Sequence, residues 1–157
     1  MFSLRTTALR SLRRTYATEG AAENVLKLQF AVPYNTFYQS SPVKQVNIPL
    51  ESGRAGILAN HVPVVEQLSS GIVEVFETDA SQPGKKFFIS SGFASVQPDS
   101  TLNITCAEAF ELDSFDLSKV QSLKSEAEKN LNNADQIIAT DAKIQFDILS
   151  KLEAELK

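Results

Sequence analysis

His61 is the only histidine of this 157-residue chain and Cys106 its only cysteine. Nucleophilic, general-base and metal chemistry must therefore start from these two, or from carboxylates and hydroxyls. A zinc site takes three or four His, Cys or carboxylate ligands, and one imidazole and one thiol far apart in sequence do not supply it. A Ser-His-Asp arrangement needs its serine on a presenting turn, yet no GxSxG elbow exists. The "SSGFAS" segment, residues 90–95, lacks the second glycine and leads from strand into more strand. Neither a GxxxxGK[ST] phosphate loop nor a GxGxxG is present. Glu108 and Glu111 could be paired as acid and base, but they read more simply as solvent-facing charges. Cys106 alternates with Leu102 and Ile104, the pattern of a buried small apolar side chain rather than a nucleophile. The chain thus reads as a non-enzyme that needs no cofactor and no metal.

His61 then needs another explanation. It lies in "SGRAGILANHVPVVEQLSSG", residues 52–71, which hold three of the six glycines: Gly53, Gly56 and Gly71. Gly53 and Gly56 let the backbone take positive φ or pass close to a neighbour. Pro63 fixes its own φ and pushes Val62 toward an extended shape. This predicts a rigid surface corner between strands, suited to gripping another protein, with Arg54, Asn60 and His61 on it. Two other roles for His61 stay open: an imidazole that caps a backbone carbonyl, and a pH switch around the ordinary value of ~6.5.

The elements that carry the corner fall into two halves. From Val25 to about Glu111 the pattern has period two. "LKLQFAV" sets Leu26, Leu28, Phe30 and Val32 on one side; "VKQVNIPL" groups Val46, Ile48 and Leu50; "GIVEVFE" is apolar on both faces; "KKFFIS" and "TLNITCA" follow. "DASQPGKK" and Pro98, Asp99 and Ser100 read as turns. Short strands with glycine and proline punctuation indicate a β-sandwich or barrel over residues 24–111. Residues 113–157 contain no glycine and no proline. Leu117, Val120, Leu123, Ala127 and Leu131 recur at helical spacing, and Ile137, Ile138, Ile144, Ile148, Leu149, Leu152 and Leu156 mark a second helix. Ser114 or Asp113 is the expected cap, with Asp116 in the first turn. Asn132 and Asn133 are expected to end the first helix in left-handed backbone. Two helices joined by a short connection form an antiparallel hairpin, which must lean on the sandwich or on another protein.

Residues 1–16 differ in kind. Arg5, Arg10, Arg13 and Arg14 precede the first acid, Glu19, and Leu4, Leu9 and Leu12 could line a short basic helix. This is the make-up of a mitochondrial presequence, with a cut expected between Tyr16 and Ala17 or as late as about residue 22. Its loss takes Lys+Arg from 15 to 11 against 19 acids, and the net charge from −4 to −8. So acidic a chain is a poor partner for nucleic acid. No apolar run approaches the ~18 residues of a membrane helix, and a lone cysteine suits a reducing compartment.

The order of these parts resembles the family of the small rotor subunit of the F-type ATP synthases, called delta in mitochondria and epsilon in bacteria. The family's "G-x-x-G-x-x-x-x-H-x-P" and following "L-x-x-G" are met by Gly53, Gly56, His61, Pro63, Leu68 and Gly71. Its "S-G-G-x-x-x-V-x-P" is met by Ser91, Gly92, Val96 and Pro98, with Ser90 and Phe93 at the flanking places. The resemblance covers everything after the presequence. It implies a ten-stranded sandwich with a helical hairpin, in a non-catalytic central-stalk subunit peripheral to the matrix side of the mitochondrial inner membrane. It implies contacts with the gamma subunit, the small mitochondrial epsilon subunit and the c-ring, so that rotation is coupled to ATP synthesis. Gly53, Arg54, Gly56, Asn60, His61 and Pro63 are then the contact candidates on the ring-facing side. Exposed apolar side chains of "GIVEVF" and of the hairpin are candidates for the other contacts.

Some bacterial members bind ATP through "[IL]-D-x-x-R-A". Here the stretch reads "FDLSKV": Lys119 stands for the arginine and Val120 for the alanine, and the hairpin has no arginine at all. Lysine lacks the planar fork of arginine, so no useful ATP binding is expected. The alternative reading is a regulatory nucleotide-sensing subunit that restrains ATP hydrolysis through its hairpin. A free-standing adaptor would leave both glycine motifs unexplained.

Overall fold

A computed structural model describes residues 25–78 and 83–157. The presequence reading, with its cut between Tyr16 and Ala17, lies outside them, as does part of the turn at residues 79–82. Ten strands are followed by a single 3-10 turn and two helices: β1 Leu26–Val32, β2 Asn35–Val43, β3 Gln45–Leu50, β4 Gly53–Leu58, β5 Val64–Leu68, β6 Gly71–Phe76, β7 Lys85–Ile89, β8 Gly92–Val96, β9 Thr101–Cys106, β10 Ala109–Glu111, the turn Leu112–Ser114, α1 Leu117–Asn130 and α2 Gln136–Leu156.

Hydrogen bonds join the strands in one path, β10-β7-β6-β3-β5-β8-β9-β1-β2, with β4 added on β3. Every pairing is antiparallel except β1 with β9. The path curls so that its inward faces meet on one core, which includes Leu26, Leu28 and Phe30 of β1, Val46 and Ile48 of β3, Val73 and Val75 of β6, and Leu102, Ile104 and Cys106 of β9. This is the period-two alternation of the sequence turned into burial. The far ends of the path approach each other: the rings of Phe37 on β2 and Phe87 on β7 are 5.0 Å apart, and the Tyr34 hydroxyl donates to the Ala109 carbonyl at 3.4 Å.

The structure corrects four expectations. Residues 52–71 are not one loop, because β4 and β5 occupy most of the segment. β4 pairs with β3 along its whole length, from Gln45 opposite Leu58 to Leu50 opposite Gly53. Gly53 alone among the described glycines takes positive φ, +135°. Gly56 serves close approach, since a Cβ there would lie 3.2 Å from both the Asn47 and Gln45 side-chain amides. Second, Asp116 caps α1, accepting from the N–H groups of Ser118 and Lys119, while Ser114 donates to the Glu111 carbonyl within the preceding turn. Third, neither Asn132 nor Asn133 is left-handed. The first helix ends at Leu131 in right-handed backbone, and the Asn133 side-chain Oδ1 accepts from the Asp135 N–H before Asp135 caps α2.

The fourth correction concerns "GIVEVF". Ile72, Val73 and Val75 are buried. Val73 and Val75 face the sandwich core, while Ile72 joins Phe88, Leu112, Val120 and Leu152 in a second cluster under the hairpin. An antiparallel strand is apolar on both faces when both are covered, and here the hairpin is the second cover. Glu153 of α2 meets Lys124 of α1 at 2.8 Å, and also Lys157 at the end of its own helix at 2.7 Å. These hydrogen bonds, from Lys124 first and then Lys157, hold the Glu153 carboxyl down at about 2.

Candidate partner-binding site

The six contact candidates divide between two places. Gly53, Arg54 and Gly56 lie on β4; Asn60, His61 and Pro63 form the turn between β4 and β5. That turn is fixed from within. Asn60 holds φ +60°, a backbone that asparagine tolerates better than most residues, and its N–H donates to the Ser100 hydroxyl oxygen at 2.9 Å. The His61 N–H donates to the Leu58 carbonyl at 3.3 Å, and its Nδ1 lies 2.9 Å from the Val62 carbonyl. With Nδ1 carrying the proton the ring caps that carbonyl, one of the roles open to it from sequence.

The turn presents apolar surface that the motif reading does not single out. Val62 and Val65 are each 70 % exposed and Phe93 is 60 % exposed. Their signal in the sequence is weak, because Val65 breaks the alternation of a short strand in which Leu68 alone is fully buried. Behind the turn, a cavity of about 310 Å³ is lined by Ile48, Ile57, Val62 and Val96, together with His61 and Glu66.

Arg54 is engaged elsewhere in the molecule. Its guanidinium is ion-paired with Glu155 near the end of α2. Toward the start of α2, Ile137, Ile138 and Ile144 are exposed, as is Leu123 of α1, so this apolar surface is uncovered among the described residues. The "FDLSKV" residues have structural work: Phe115 packs edge-on against Phe88 and Phe110, Asp116 is the cap, and Val120 is buried under the hairpin. Burial pushes the Cys106 thiol up to about 11, far from a reactive thiolate. Among the described residues no group of three or more His, Cys, Asp or Glu is placed to hold a metal. No helix among them is long and apolar enough to cross a membrane.

The sequence model of the family described as "ATP synthase, Delta/Epsilon chain, beta-sandwich domain" matches residues 25–111. The chain belongs to the ATP synthase delta/epsilon family. Its delta/epsilon relatives include the mitochondrial ATP synthase delta subunit of Kluyveromyces lactis, 56% identical over 145 residues that cover 92% of this chain and 88% of the relative. That of Saccharomyces cerevisiae is 52% identical over 145 residues, covering 92% and 89%. Among solved structures, a chain of the Euglena gracilis mitochondrial ATP synthase, seen in its OSCP/F1/c-ring part, superposes with a TM-score of 0.81 at 25% identity over 99% of this chain and 91% of that one. A chain from the central stalk and c-ring of the Tetrahymena thermophila enzyme gives 0.60 at 12% identity, covering 84% and 96%, and shows the shared fold alone. Both glycine motifs lie inside the span matched to the delta/epsilon family. A delta/epsilon chain is a structural, coupling component and not a catalytic one.

Proposed function

We propose that this chain is the delta-type central-stalk subunit of a mitochondrial proton-driven ATP synthase, joining the membrane c-ring to the gamma subunit so that rotation is coupled to ATP synthesis. The observation that carries the reading is the match at 56% identity, across 92% of the chain, to a mitochondrial delta subunit. The chain works peripherally on the matrix side of the inner membrane. The turn at residues 60–63, with Asn60, His61 and Pro63, meets the polar loops of the ring. Gly53, Arg54 and Gly56 shape the strand that aims it. The exposed apolar face of the hairpin, with Ile137, Ile138 and Ile144, meets gamma and the small mitochondrial epsilon subunit. Permanent contacts of this kind bury on the order of 2,000 Å² or more, and a close-packed sandwich is stiff enough to carry torque between them. Residues 1–16 act as the import signal and are removed before Ala17.

Depleting the chain from mitochondria tests this directly. The expected outcome is loss of ATP synthesis and of ATP-driven proton pumping, while hydrolysis by the catalytic subunits survives. Unchanged pumping after depletion would overturn the reading. The mass of the mature protein, measured intact, reports the cut.

A further inference from the structure

Arg54 is the only arginine after Arg14, and its guanidinium pairs across the molecule with Glu155. The hairpin otherwise rests on the sandwich through the small apolar cluster around Ile72, Phe88 and Leu152. Burial of apolar surface is non-directional; it draws the helices down without deciding how far α2 slides along the strands. Two polar contacts also tie α2 to the strands. Arg54 of β4 meets Glu155, and Lys151 donates to the Ser70 hydroxyl, in the bend between β5 and β6, at 3.1 Å. Lys151 is also held by Asp147 at 3.0 Å, which limits its reach. The crevice between the two contacts, about 290 Å³, includes Pro49, Gly71 and Ala154 in its walls.

Lys151 and Glu155 are four residues apart on α2, so they lie one above the other on a single face. A slip of α2 by one turn, ~5.4 Å, would carry Lys151 toward Arg54 and set cation against cation. The native register pairs opposite charges there, and this one-turn slip does not. Arg54 is 55% exposed and Glu155 30%, so the pair adds little net stability; exposed pairs contribute roughly 0–1 kcal/mol. Its consequence is in register rather than in strength.

We propose that Arg54 and Glu155 are positioning residues that key the hairpin to one register on the sandwich, and that this register is needed for coupling. The second clause rests on the function proposed above. An R54E or E155R variant puts like charges together at the key; the double variant R54E/E155R restores opposite ones. Each is assembled into intact ATP synthase carrying nitroxides at Thr105→Cys on β9 and Lys143→Cys on α2, with buried Cys106 retained. Pulsed EPR then reads the sandwich-to-hairpin distance, and ATP-driven proton pumping per ATP hydrolysed reads coupling.

Each single variant is expected to broaden or shift the distance distribution and to lower the pumping ratio, with both restored in the double variant. Singles that match the wild type in distance, or a double variant that does not recover, would overturn the key. A distance distribution that responds and recovers while pumping never changes would overturn the link to coupling and leave the key standing.

Discussion

Asn60 and Ser100, forty positions apart, both hold left-handed backbone, with φ of +60° and +61°, and they are hydrogen-bonded to each other. The Asn60 N–H donates to the Ser100 Oγ at 2.9 Å, and the same hydroxyl donates to the Asn60 Oδ1 at 3.4 Å. Ser100 is 4% exposed, so the site-bearing turn is braced from inside by a buried polar group rather than by the glycines of its own motif.

Ser100→Ala leaves the Asn60 N–H without that acceptor, at an expected cost of about 1–3 kcal/mol, read as a lower urea midpoint. Asn60→Gly keeps the backbone and should cost less than Asn60→Val, for which the left-handed backbone alone costs about 1–2 kcal/mol. Equal effects of glycine and valine would contradict the bracing account.

Gly92 belongs to the second glycine motif. A Cβ there would stand 2.2 Å from the Thr105 carbonyl oxygen and 2.8 Å from the Cys106 Cα, both backbone atoms of β9. Gly92→Ala must push β8 and β9 apart and should destabilise by about 1–3 kcal/mol or more. Thermal unfolding followed by circular dichroism checks this, and an unchanged midpoint would refute it.

Ile72 tests the joint between the halves. Ile72→Ala removes its side chain from the cluster beneath the hairpin at a cost of about 2–4 kcal/mol. Hydrogen exchange should quicken in α1 and α2 while β1, β3 and β9 stay protected. Uniform quickening across the sandwich would mean that the two halves unfold as one.

The pH dependence has two limbs. On the acid side, Glu153 lies at about 2, through hydrogen bonds from Lys124 and Lys157, and Glu77 is lowered through hydrogen bonds from Lys85 and Tyr38. Both folded values lie below the ordinary 4.5. Their contributions are therefore present above that pH and are lost as pH falls from 4.5 toward 2. The melting temperature should decline across this window, and Glu153→Gln should flatten the decline.

On the alkaline side, burial raises Cys106 from 9.0 to about 11. That contribution is complete below pH 9 and is lost as pH rises through 11. An aromatic disulfide reagent at pH 8 should leave the folded thiol untouched and label it at once in urea. Rapid labelling of the folded protein would contradict the burial of Cys106.

The sequence made some of this legible and not the rest, for reasons visible in particular elements. β1 reads directly, because Leu26, Leu28, Phe30 and Val32 alternate with outward residues over its whole length. β2 does not: its pairing with β1 shifts register twice, between Leu28 and Ala31, and Pro42 sits within it. The double apolar face of β6 is apparent in "GIVEVFE", but which face the hairpin covers depends on packing that periodicity does not encode. Asp113, Ser114 and Asp116 all suit a helix cap by type, and only the hydrogen bonds to Ser118 and Lys119 choose among them. The family motif points to the turn that holds Asn60, His61 and Pro63. It says nothing of Ser100 behind it, nor of Glu155, which is 101 positions from Arg54.

The central claim is membership of a working rotary complex, and a native gel of mitochondria opened in mild detergent tests it most directly. Bands are cut out and this chain is sought by mass spectrometry. The account predicts that it migrates with the alpha, beta, gamma and c subunits and begins at Ala17. Migration alone, near the mass of the single chain, would contradict it.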